Sequence, residues 1–475
     1  PVPVPSVVWY HDNIVTVGKE AKNKYNTFSG RAGHCLIRSV KSQLGTNNRL
    51  SVFGDLKEPY EIAGDIIEHM KKEAINRFHA DKIVGKFDQA VFTVPINFDG
   101  RQRSDLRKAA NRAGINVNAF IHEPFAAVVG FLFAGSNPKG LKTYNGKYIL
   151  VFDWGGGTLD ITVVKAENNK LFEMGTSQLS GVAGDKFDDE LKTLCVNRFI
   201  DQHAAKFKRE YLEEKLREKE DTLVYYAEKS KIELSNQSQT NFNVDSIFAA
   251  ENGSERVYYD INETISKEEF EACIKSDVDR AINKIHEALK SAHISADQIS
   301  LALLTGGSSH IPLVVDEIRK IFGHRVVQVP NSDTIIAEGA AIVAANNWVP
   351  FLAKNIMVEL SDKSHWVVYD KGTELIPDTT YKEETFICVD NRDAEGKLIL
   401  AEGYKQDRKD RNLGVLNIPL LSKKPYAAFF DTIATTYEID RDYVLNVSGY
   451  SEFEKRRKKL NIYDLCIGLE VSGEN

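Results

Sequence analysis

The sequence predicts an α/β domain followed by a smaller antiparallel β domain. Three observations lead to this fold class. Apolar strands alternate with amphipathic helices over residues 1–348, glycine-rich turns follow two of those strands, and from residue 357 onward alternating strands follow one another without helices. Alternating strands and helices indicate an α/β sheet, whereas a run of consecutive strands indicates an antiparallel β domain. We therefore assign residues 1–348 to the first domain, 349–356 to a linker and 357–475 to the second domain.

The composition is that of a globular intracellular protein. With 475 residues, of which 42% are apolar, the chain is long enough for two or three domains with their own cores. Its five cysteines are scattered and include no CxxC pair, which disfavours a disulfide scaffold or a zinc site. The net charge of −7 gives no electrostatic footprint for nucleic acid, and no apolar run is long enough for a membrane span. We expect a cytoplasmic protein without nucleic-acid or membrane partners.

The first part of the chain reads as short strands and helices. Strand-like segments at residues 6–10 and 14–17 precede helical stretches around 21–25 and 34–44, and the last of these carries Lys41. Residues 61–78 then form an amphipathic helix with apolar residues at three-and-four spacing. From spacing alone, Lys41 is an ordinary solvated lysine.

A strand, turn and helix follow, and then another strand and helix. The strand covers residues 90–95, and the helix at 101–112 stops before Gly114, the expected C-terminal glycine. The second helix begins at Glu123 and Pro124. Polar residues at the strand ends of such a sheet, Arg103 and Glu123 among them, lie where α/β sheets carry ligands.

The most informative segment is residues 148–165, YILVFDWGGGTLDITVVK, which predicts a strand, a glycine turn and a second strand. Glycines 155–157 allow backbone N–H groups to point at one anion, and Thr158 can donate its hydroxyl to a terminal phosphate. Asp153 is placed to hold a hydrated Mg²⁺, with Asp160 on the other side of the glycines. An ordinary β-hairpin is the alternative. The segment is not a Walker loop, which opens a helix.

Two further segments strengthen the phosphate-site interpretation. Glu228, Lys231 and Ser235 fall on one helix face, where they could grip a ribose and a base edge, although a solvated charged face is at least as common. A strand at 299–304 runs into TGGSSHIP, in which Gly306 and Gly307 open a helix at 311–322 whose N-terminus favours anions. Two glycine turns at strand ends indicate a phosphate site more strongly than one turn alone.

The remainder of the chain alternates as strands, with turns such as the one at residues 440–442. The predicted strands are 384–389, 397–404, 413–419, 432–439 and 443–449. The basic run KRRKK at 455–459 could be a localisation signal or a nucleic-acid patch, but beside a strand it is more often a charged edge that resists aggregation.

In this order, several motifs resemble the seventy-kilodalton heat-shock chaperone (DnaK-type) family. They are FDWGGGTLD, AVFTVPINFDGRQR, IHEPFAA, LLTGGSSHIP, PNSDTIIAEGAA and YVLNVSG, and the resemblance runs from residue 1 to about residue 464. It implies an actin-like (ribonuclease H-like) ATPase domain followed by an antiparallel β-sandwich that binds peptides. It also implies ATP or ADP and Mg²⁺ as ligands, extended peptide segments of client proteins as partners, and co-chaperones and nucleotide-exchange factors as further partners.

The resemblance assigns roles residue by residue. Catalysis would involve Lys41, Glu123, Asp153 and Thr158, and the metal shell Glu123, Asp160 and, through water, Asp153. The nucleotide would contact Gly155, Gly156, Gly157, Thr158, Gly184, Glu228, Lys231, Ser235, Gly306, Gly307, Ser308, His310 and Asp333. Pro95 and Arg103 would couple the two domains, and Phe386 and Leu398 would form walls of the peptide pocket.

Five departures from the family pattern bear on these expectations. The family's first phosphate hairpin, which carries an aspartate and a glycine–threonine run, would precede Pro1, and the family's long helical lid would follow the last strand. His310 stands where an arginine would stack on adenine. The linker reads WVPFLAKN in place of a short acidic and leucine-rich run. Gly396 stands where the peptide pocket would have a branched apolar residue.

The leading hypothesis is an ATP-dependent chaperone-like protein in which the nucleotide state controls peptide affinity. A second hypothesis is a non-hydrolysing nucleotide-binding scaffold, which the absent first loop favours. A third, a sugar kinase of the same superfamily, is disfavoured because it leaves no place for the β domain. Phosphate release from ATP without added sugar separates the first hypothesis from the third.

Overall fold

The structure is a computed structural model of the 475-residue chain, and it describes residues 3–28, 32–82, 85–134, 140–252, 255–329, 331–332, 334–376, 380–387, 395–420 and 431–471. Its strands are β1 (Val7–His11), β2 (Ile14–Val17), β3 (His34–Arg38), β4 (Leu50–Val52), β5 (Asp55–Lys57), β6 (Gln89–Val94), β7 (Asn116–His122), β8 (Lys147–Trp154), β9 (Thr158–Glu167), β10 (Lys170–Ser180), β11 (Gln239–Asn252), β12 (Glu255–Ser266), β13 (Ile299–Thr305), β14 (Val326–Gln328), β15 (Pro350–Leu352), β16 (Asn355–Glu359), β17 (His365–Tyr369), β18 (Tyr381–Ile387), β19 (Glu395–Gly403), β20 (Arg411–Pro419), β21 (Thr432–Ile439), β22 (Leu445–Ser451), β23 (Lys458–Ile462) and β24 (Ile467–Glu470).

Its helices are α1 (Lys19–Phe28), α2 (Pro59–Ala80), α3 (Gly100–Arg112), α4 (Glu123–Phe133), α5 (Gly184–His203), α6 (Arg209–Arg217), α7 (Glu220–Leu234), α8 (Lys267–Ser291), α9 (Pro312–Phe322) and α10 (Ile335–Asn346). Within the described ranges, none of these helices combines the length and the apolarity needed to cross a bilayer. Asp333, which the resemblance assigns to the nucleotide cleft, lies outside the described residues.

A seven-stranded sheet forms the centre of the α/β domain, in the order β14-β13-β8-β9-β10-β24-β15. β8 and β9 pair antiparallel around the glycine turn, so that Asp153 lies directly opposite Asp160. β13 runs parallel to β8, and its last residue, Thr305, is the neighbour of Asp153. The sheet therefore brings both glycine turns to the same end.

A second strand–helix–strand unit faces this sheet. β6 and β7 pair in parallel, α3 connects them, and α4 follows β7. α4 packs against α10 through two glycines that allow the backbones to touch. A Cβ on Gly339 would lie 1.8 Å from the carbonyl oxygen of Ala126, and one on Gly130 would lie 2.3 Å from that of Ile335. These contacts fix the two halves of the domain on either side of a cleft.

Two smaller groups of elements form the upper walls of the cleft. β1, β2 and β3 form an antiparallel sheet with α1 and α2 beside it, and β11 and β12 form a long hairpin among α5 to α8. The prediction of a helix over residues 34–44 was wrong. Residues 34–38 form β3, because each of them pairs with a residue of β1, and only Val40–Gln43 coil, as one 3₁₀ turn.

The β domain consists of two four-stranded antiparallel sheets, β17-β16-β19-β20 and β18-β21-β22-β23. Their inner faces share one apolar core, to which Leu400 and Ile418 contribute from one sheet and Ile433, Tyr437 and Val447 from the other. The same core continues into the α/β domain through apolar residues of β6, β7 and α3, so the two domains are packed together.

Two paired strands form the junction between the domains. β15 lies within the residues predicted as a linker, 349–356, and β24 lies at the end of the predicted β domain, 357–475. The two strands pair antiparallel with each other, and β24 also pairs with β10, where Leu171 lies opposite Leu469. Both ends of the β domain therefore belong to the sheet of the α/β domain.

Candidate nucleotide site

The two glycine turns contact each other directly. The hydroxyl of Ser308 donates to the carbonyl oxygen of Gly155 at 2.9 Å. Gly306 has a positive φ of 79°, and a Cβ there would lie 2.5 Å from the carbonyl oxygen of Trp154, so a side chain would separate the two turns. The N–H of Gly184 donates to the same Gly155 carbonyl at 3.1 Å. Gly155, Gly184, Gly306 and Ser308 thus form one loop cluster.

Three carboxylates gather beside this cluster. Asp153 and Asp160 come from the paired ends of β8 and β9, and Glu123 is the first residue of α4. Burial raises the pKa of Asp153 to about 7, and the charges of Glu123 and Asp160 act in the same direction. Burial also raises the pKa of Asp160, although the hydroxyl of Thr158, which donates to it at 3.1 Å, has the opposite effect. Such mutual repulsion is relieved when a cation binds nearby.

Lys41 supplies a positive charge to this group from the opposite wall. Its ammonium lies 2.7 Å from Glu123 Oε1. Next to this ion pair is a cavity of about 10 Å³, lined by Pro95, Glu123, Asp153 and Asp160 among others. That volume is about what one water molecule requires. Glu123, Asp153 and Asp160 therefore surround a space for one water or one small cation, with Lys41 paired to Glu123 beside it.

The donor set fits magnesium held indirectly. Among the described residues, no group of three or more histidine, cysteine, aspartate or glutamate side chains is arranged to hold a metal ion by itself. Mg²⁺ keeps most of its waters and takes only one or two carboxylates beside phosphate oxygens. Asp153, Asp160 and Glu123 fit that requirement, because they supply carboxylate oxygens and because a bound cation would relieve the repulsion between their charges.

A larger cleft of about 700 Å³ opens above the glycine turn. It is lined by Gly156 and Gly157 from the turn, by Glu228 from α7 and by Lys22 from α1, with several aspartates between them. Lys22 Nζ donates to both oxygens of Glu228, at 2.8 and 3.0 Å, and so joins the two walls across the cleft. A nucleotide would have to share Glu228 with this ion pair.

The other residues of the predicted ribose and adenine grip already have partners within the protein. Lys231 donates to the carbonyl oxygen of Gly184 at 3.0 Å and lies 2.8 Å from Asp188. The hydroxyl of Ser235 donates to the carbonyl oxygen of Lys231, at 3.2 Å. His310 Nε2 is 2.7 Å from the hydroxyl of Ser332. Lys231 therefore belongs to the loop cluster, whereas Ser235 and His310 would bind a nucleotide only by exchanging these partners.

Comparison with known proteins decides the family. The family model described as Hsp70 protein matches residues 37–465. The chain belongs to the Hsp70 family. It is similar to the chaperone protein DnaK of Mycoplasmopsis synoviae (strain 53), with 28% identity over 469 residues that cover 96% of this chain and 73% of that protein. The chaperone protein DnaK of Mycoplasmopsis agalactiae (strain NCTC 10123 / CIP 59.7 / PG2) is also 28% identical, over 470 residues with the same shares covered. The family predicted from the sequence motifs is confirmed.

In this Hsp70, Arg103 lies at the contact between the two domains. Its side chain is only 4% exposed. It donates to the carbonyl oxygens of Asp442 at 2.7 Å and Tyr463 at 3.0 Å, both in the β domain, and also to that of Phe98. Among the described contacts Arg103 forms no ion pair with Glu123, which pairs with Lys41 instead.

Pro95 and a second arginine complete the connection between the nucleotide cleft and the β domain. Pro95 lines the small cavity beside Asp153. Arg107, one turn after Arg103 on α3, pairs with Asp442 at 2.7 Å. From the β domain, the hydroxyl of Tyr443 accepts the N–H of Phe120 in β7 at 3.1 Å. Arg107 was missed in the sequence, although its i, i+4 spacing from Arg103 could have identified it.

The two predicted peptide-pocket residues lie in one cavity. Phe386 of β18 and Leu398 of β19 both line a space of about 540 Å³ in the β domain, together with Leu360 and Ile433. Gly396 lacks the expected branched side chain, but the space is not empty. A Cβ on Gly396 would lie 2.5 Å from Cδ1 of Ile433, so Ile433 occupies the place that a larger residue would take.

Proposed function

We propose that this Hsp70 is an ATP-dependent chaperone in which the nucleotide state of the α/β domain controls peptide binding in the β domain. The observation that carries the proposal is that Glu123, Asp153 and Asp160 line a one-water cavity together with Pro95, and that Lys41 pairs with Glu123 beside it. That cavity lies beside two joined glycine turns. The candidate catalytic residues, the glycine turns that would bind phosphate and the contact with the β domain thus lie next to one another. The family membership supports the same function.

The residues suggest a mechanism of positioning and electrostatic stabilisation, as in other phosphoryl transfers. Backbone N–H groups of Gly156 and Gly157 would bind the phosphate oxygens, while that of Gly155 closes the turn by donating to the carbonyl oxygen of Thr158 at 3.0 Å. The hydroxyl of Thr158 would donate to the terminal phosphate. Lys41 neutralises charge that grows on this group and orients the attacking water in the small cavity. Bound Mg²⁺ would neutralise further phosphate charge, with Asp153, Asp160 and Glu123 holding its water shell.

We also propose that a second glycine hairpin completes the cradle on the free edge of β6. The unit β13-α9-β14-α10 repeats the plan of β6-α3-β7-α4, and β13 pairs on its other edge with the hairpin strand β8. No described strand occupies the corresponding edge of β6. A groove of about 500 Å³ lies there, lined by apolar residues such as Met70, Phe92 and Ala340. The family's first phosphate hairpin would fit this position.

The β domain would bind extended apolar peptides. Its cavity at Phe386 and Leu398 can take one apolar side chain, while the peptide backbone bonds to neighbouring strands, which gives affinity without a strict sequence requirement. Nucleotide exchange factors and co-chaperones would act as partners, and the cytoplasm would be the place of action, as the family implies.

Phosphate release from ATP tests the catalytic part of the proposal. In a chain that carries the first hairpin, Lys41→Ala and Thr158→Ala are each expected to lower the turnover rate by roughly 10²-fold or more, since each removes one electrostatic donor. Lys24→Ala, in the same lobe but outside the cleft lining, serves as the control. Wild-type turnover in Lys41→Ala would reject the assignment.

A non-hydrolysing nucleotide-binding scaffold is the second candidate. The observation that favours it is the anchoring of both ends of the β domain in the α/β sheet, which limits how far the domains can separate. ATP binding without phosphate release, in the hairpin-bearing chain, would support this candidate. The sugar-kinase hypothesis is disfavoured, because the Hsp70 match extends through the β domain to residue 465.

A further inference from the structure

Arg38 is a charged residue of the cleft that no sequence motif marks. It is the last residue of β3, paired opposite Val7 of β1, and it lines the cleft of about 700 Å³ together with Gly156 and Gly157. The next residue, Ser39, has a left-handed backbone with φ 53° and donates its N–H to the carbonyl oxygen of Ser6 at 3.2 Å. This fixed corner separates Arg38 from Lys41, which reaches Glu123. One connection thus presents two cations to the glycine hairpin.

Because the cleft is lined mainly by acids, a cation such as Arg38 matters for the binding of a negatively charged ligand. Carboxylates dominate the lining, namely Asp185, Asp188, Asp189, Asp221 and Glu228. The lining cations are Lys22, which donates to both oxygens of Glu228, and Arg38, whose charge acts on Asp185 and Asp221. A triphosphate carries several negative charges, so its entry into an acid-lined cleft is unfavourable unless a cation meets it. Arg38 lines the same cleft as the glycine turn and can contribute to that charge.

The pKa values of two neighbouring acids show where the charge of Arg38 acts. Burial raises the pKa of Asp221, whereas the positive charge of Arg38 lowers it. The same charge also lowers the pKa of Asp185, against the larger effect of burial. Asp185 in turn donates its N–H to the carbonyl oxygen of Gly156 at 2.8 Å. The guanidinium therefore lies within electrostatic reach of the glycine turn that would hold the phosphates.

We propose that Arg38 is a positioning residue that binds the phosphate chain of the nucleotide. Its planar fork of N–H donors matches phosphate oxygens in pairs, which a lysine ammonium does not. Lys41 acts beside the carboxylates of Glu123, Asp153 and Asp160, whereas Arg38 acts in the larger cleft beside the glycine turn. The inference rests on the proposed function, since it requires that ATP binds in this cleft.

A purely structural role for Arg38 makes a different prediction. If Arg38 only joined the two walls by pairing with Asp185 and Asp221, its loss would weaken all cleft ligands alike. If it binds phosphate, its loss weakens ligands in relation to the phosphates they carry. Adenosine, ADP and ATP form the series that separates the two roles.

The experiment is calorimetric titration of these three ligands, with Mg²⁺, into the full chain. In Arg38→Ala, we expect affinity for ATP and ADP to fall roughly tenfold or more, because a charge-assisted hydrogen bond is lost, and affinity for adenosine to stay unchanged. Arg38→Lys should recover part of the loss. Arg49→Ala is the matched control, since Arg49 lies in the same lobe but pairs with Glu58 at 2.7 Å outside the cleft lining.

Two results would overturn the inference. Equal losses for adenosine, ADP and ATP would mean a wall-joining role, and unchanged affinities would mean no role, in both cases with the proposed function intact. A wild-type chain that binds none of the three ligands would instead reject the nucleotide site itself and the role of Arg38 with it. The thermal unfolding midpoint of each variant checks that the fold is retained.

Discussion

Replacing Arg103 by alanine should loosen the contact between the two domains. Arg103 makes two hydrogen bonds across the interface, to the carbonyl oxygens of Asp442 and Tyr463. A hydrogen bond to a charged group contributes about 1.5–3 kcal/mol, so the two together set an upper bound of about 3–6 kcal/mol. Part of this is offset, because burial disfavours the charged guanidinium and lowers its pKa. We expect a net loss of about 2 kcal/mol in the free energy of docking, or about 30-fold more of the open form.

Hydrogen exchange measured by mass spectrometry can detect this change. The N–H of Gly100 donates to the carbonyl oxygen of Tyr463 at 2.9 Å, and that of Phe120 donates to the hydroxyl of Tyr443. Both amides should exchange about 30-fold faster in Arg103→Ala, whereas amides of β13, far from the interface, should not change. The same variant should lose ATP-driven release of peptide.

Arg112→Ala provides the matched control. Arg112 is on the same helix, but it pairs with Asp65 of α2 at 3.7 Å and makes no described bond to the β domain. It should leave exchange at Gly100 and Phe120 unchanged. The reasoning is refuted if Arg103→Ala exchanges like the wild type at these positions, or if Arg112→Ala produces the same acceleration.

Three further changes test other parts of the molecule. Gly156→Val should abolish ATP binding, because its Cβ would lie 3.1 Å from Asp185 Oδ1 and its methyl groups would enter the cleft. In the same titration the control Gly85→Val, which has open space around it, should bind ATP as the wild type does. Phe386→Ala should weaken binding of a fluorescent apolar heptapeptide to the full chain by a factor of roughly ten or more, since it removes about 1.5–3 kcal/mol of apolar contact; unchanged anisotropy titrations would place the peptide elsewhere. Glu173→Gln should flatten the dependence of stability on pH. Burial raises the pKa of Glu173 to about 7 from its ordinary value of 4.5, so the folded protein holds a proton that the unfolded chain has released, and stability falls by up to about 3 kcal/mol as pH rises from 4.5 to 7. Thermal midpoints at pH 5, 6 and 8 measure this, and a variant that keeps the wild-type slope would contradict it.

Local patterns predicted much of the fold and of the loop cluster. The runs around Asp153 and Thr305 are apolar strands that end in glycines, and both features depend only on neighbouring residues. The alternating strands β20 to β22 were predicted for the same reason, to within two residues at each end. Their assignment to one site followed from the family resemblance, and the match over residues 37–465 confirms the family.

Features that depend on distant partners could not be predicted. Residues 34–38 look compatible with a helix until β1 pairs with them. The four residues of β24 carry no sign that their partner is β10, which precedes them by more than half the length of the chain. Likewise, nothing in the sequence around Arg38 shows that it faces Gly156 across the cleft. In each case tertiary pairing decides the outcome, and a single sequence does not encode the partner in any local pattern.

The pairing of β15 with β24 makes the β domain an insertion between two paired strands. Leu352 and Ile467 are direct partners in this ladder, and the N–H of Ala353 bonds to the carbonyl oxygen of Cys466 at 2.9 Å just beyond them. Two directly opposed antiparallel residues are what a two-residue turn such as Asn-Gly connects in a hairpin. Residues 353–466 could therefore be replaced by Asn-Gly, and β15 and β24 would close into a hairpin that still completes the seven-stranded sheet. Such a shortened chain would carry the α/β domain with its outer edge capped by its own strands, whereas a cut after residue 349 would expose the edge of β10 to other molecules.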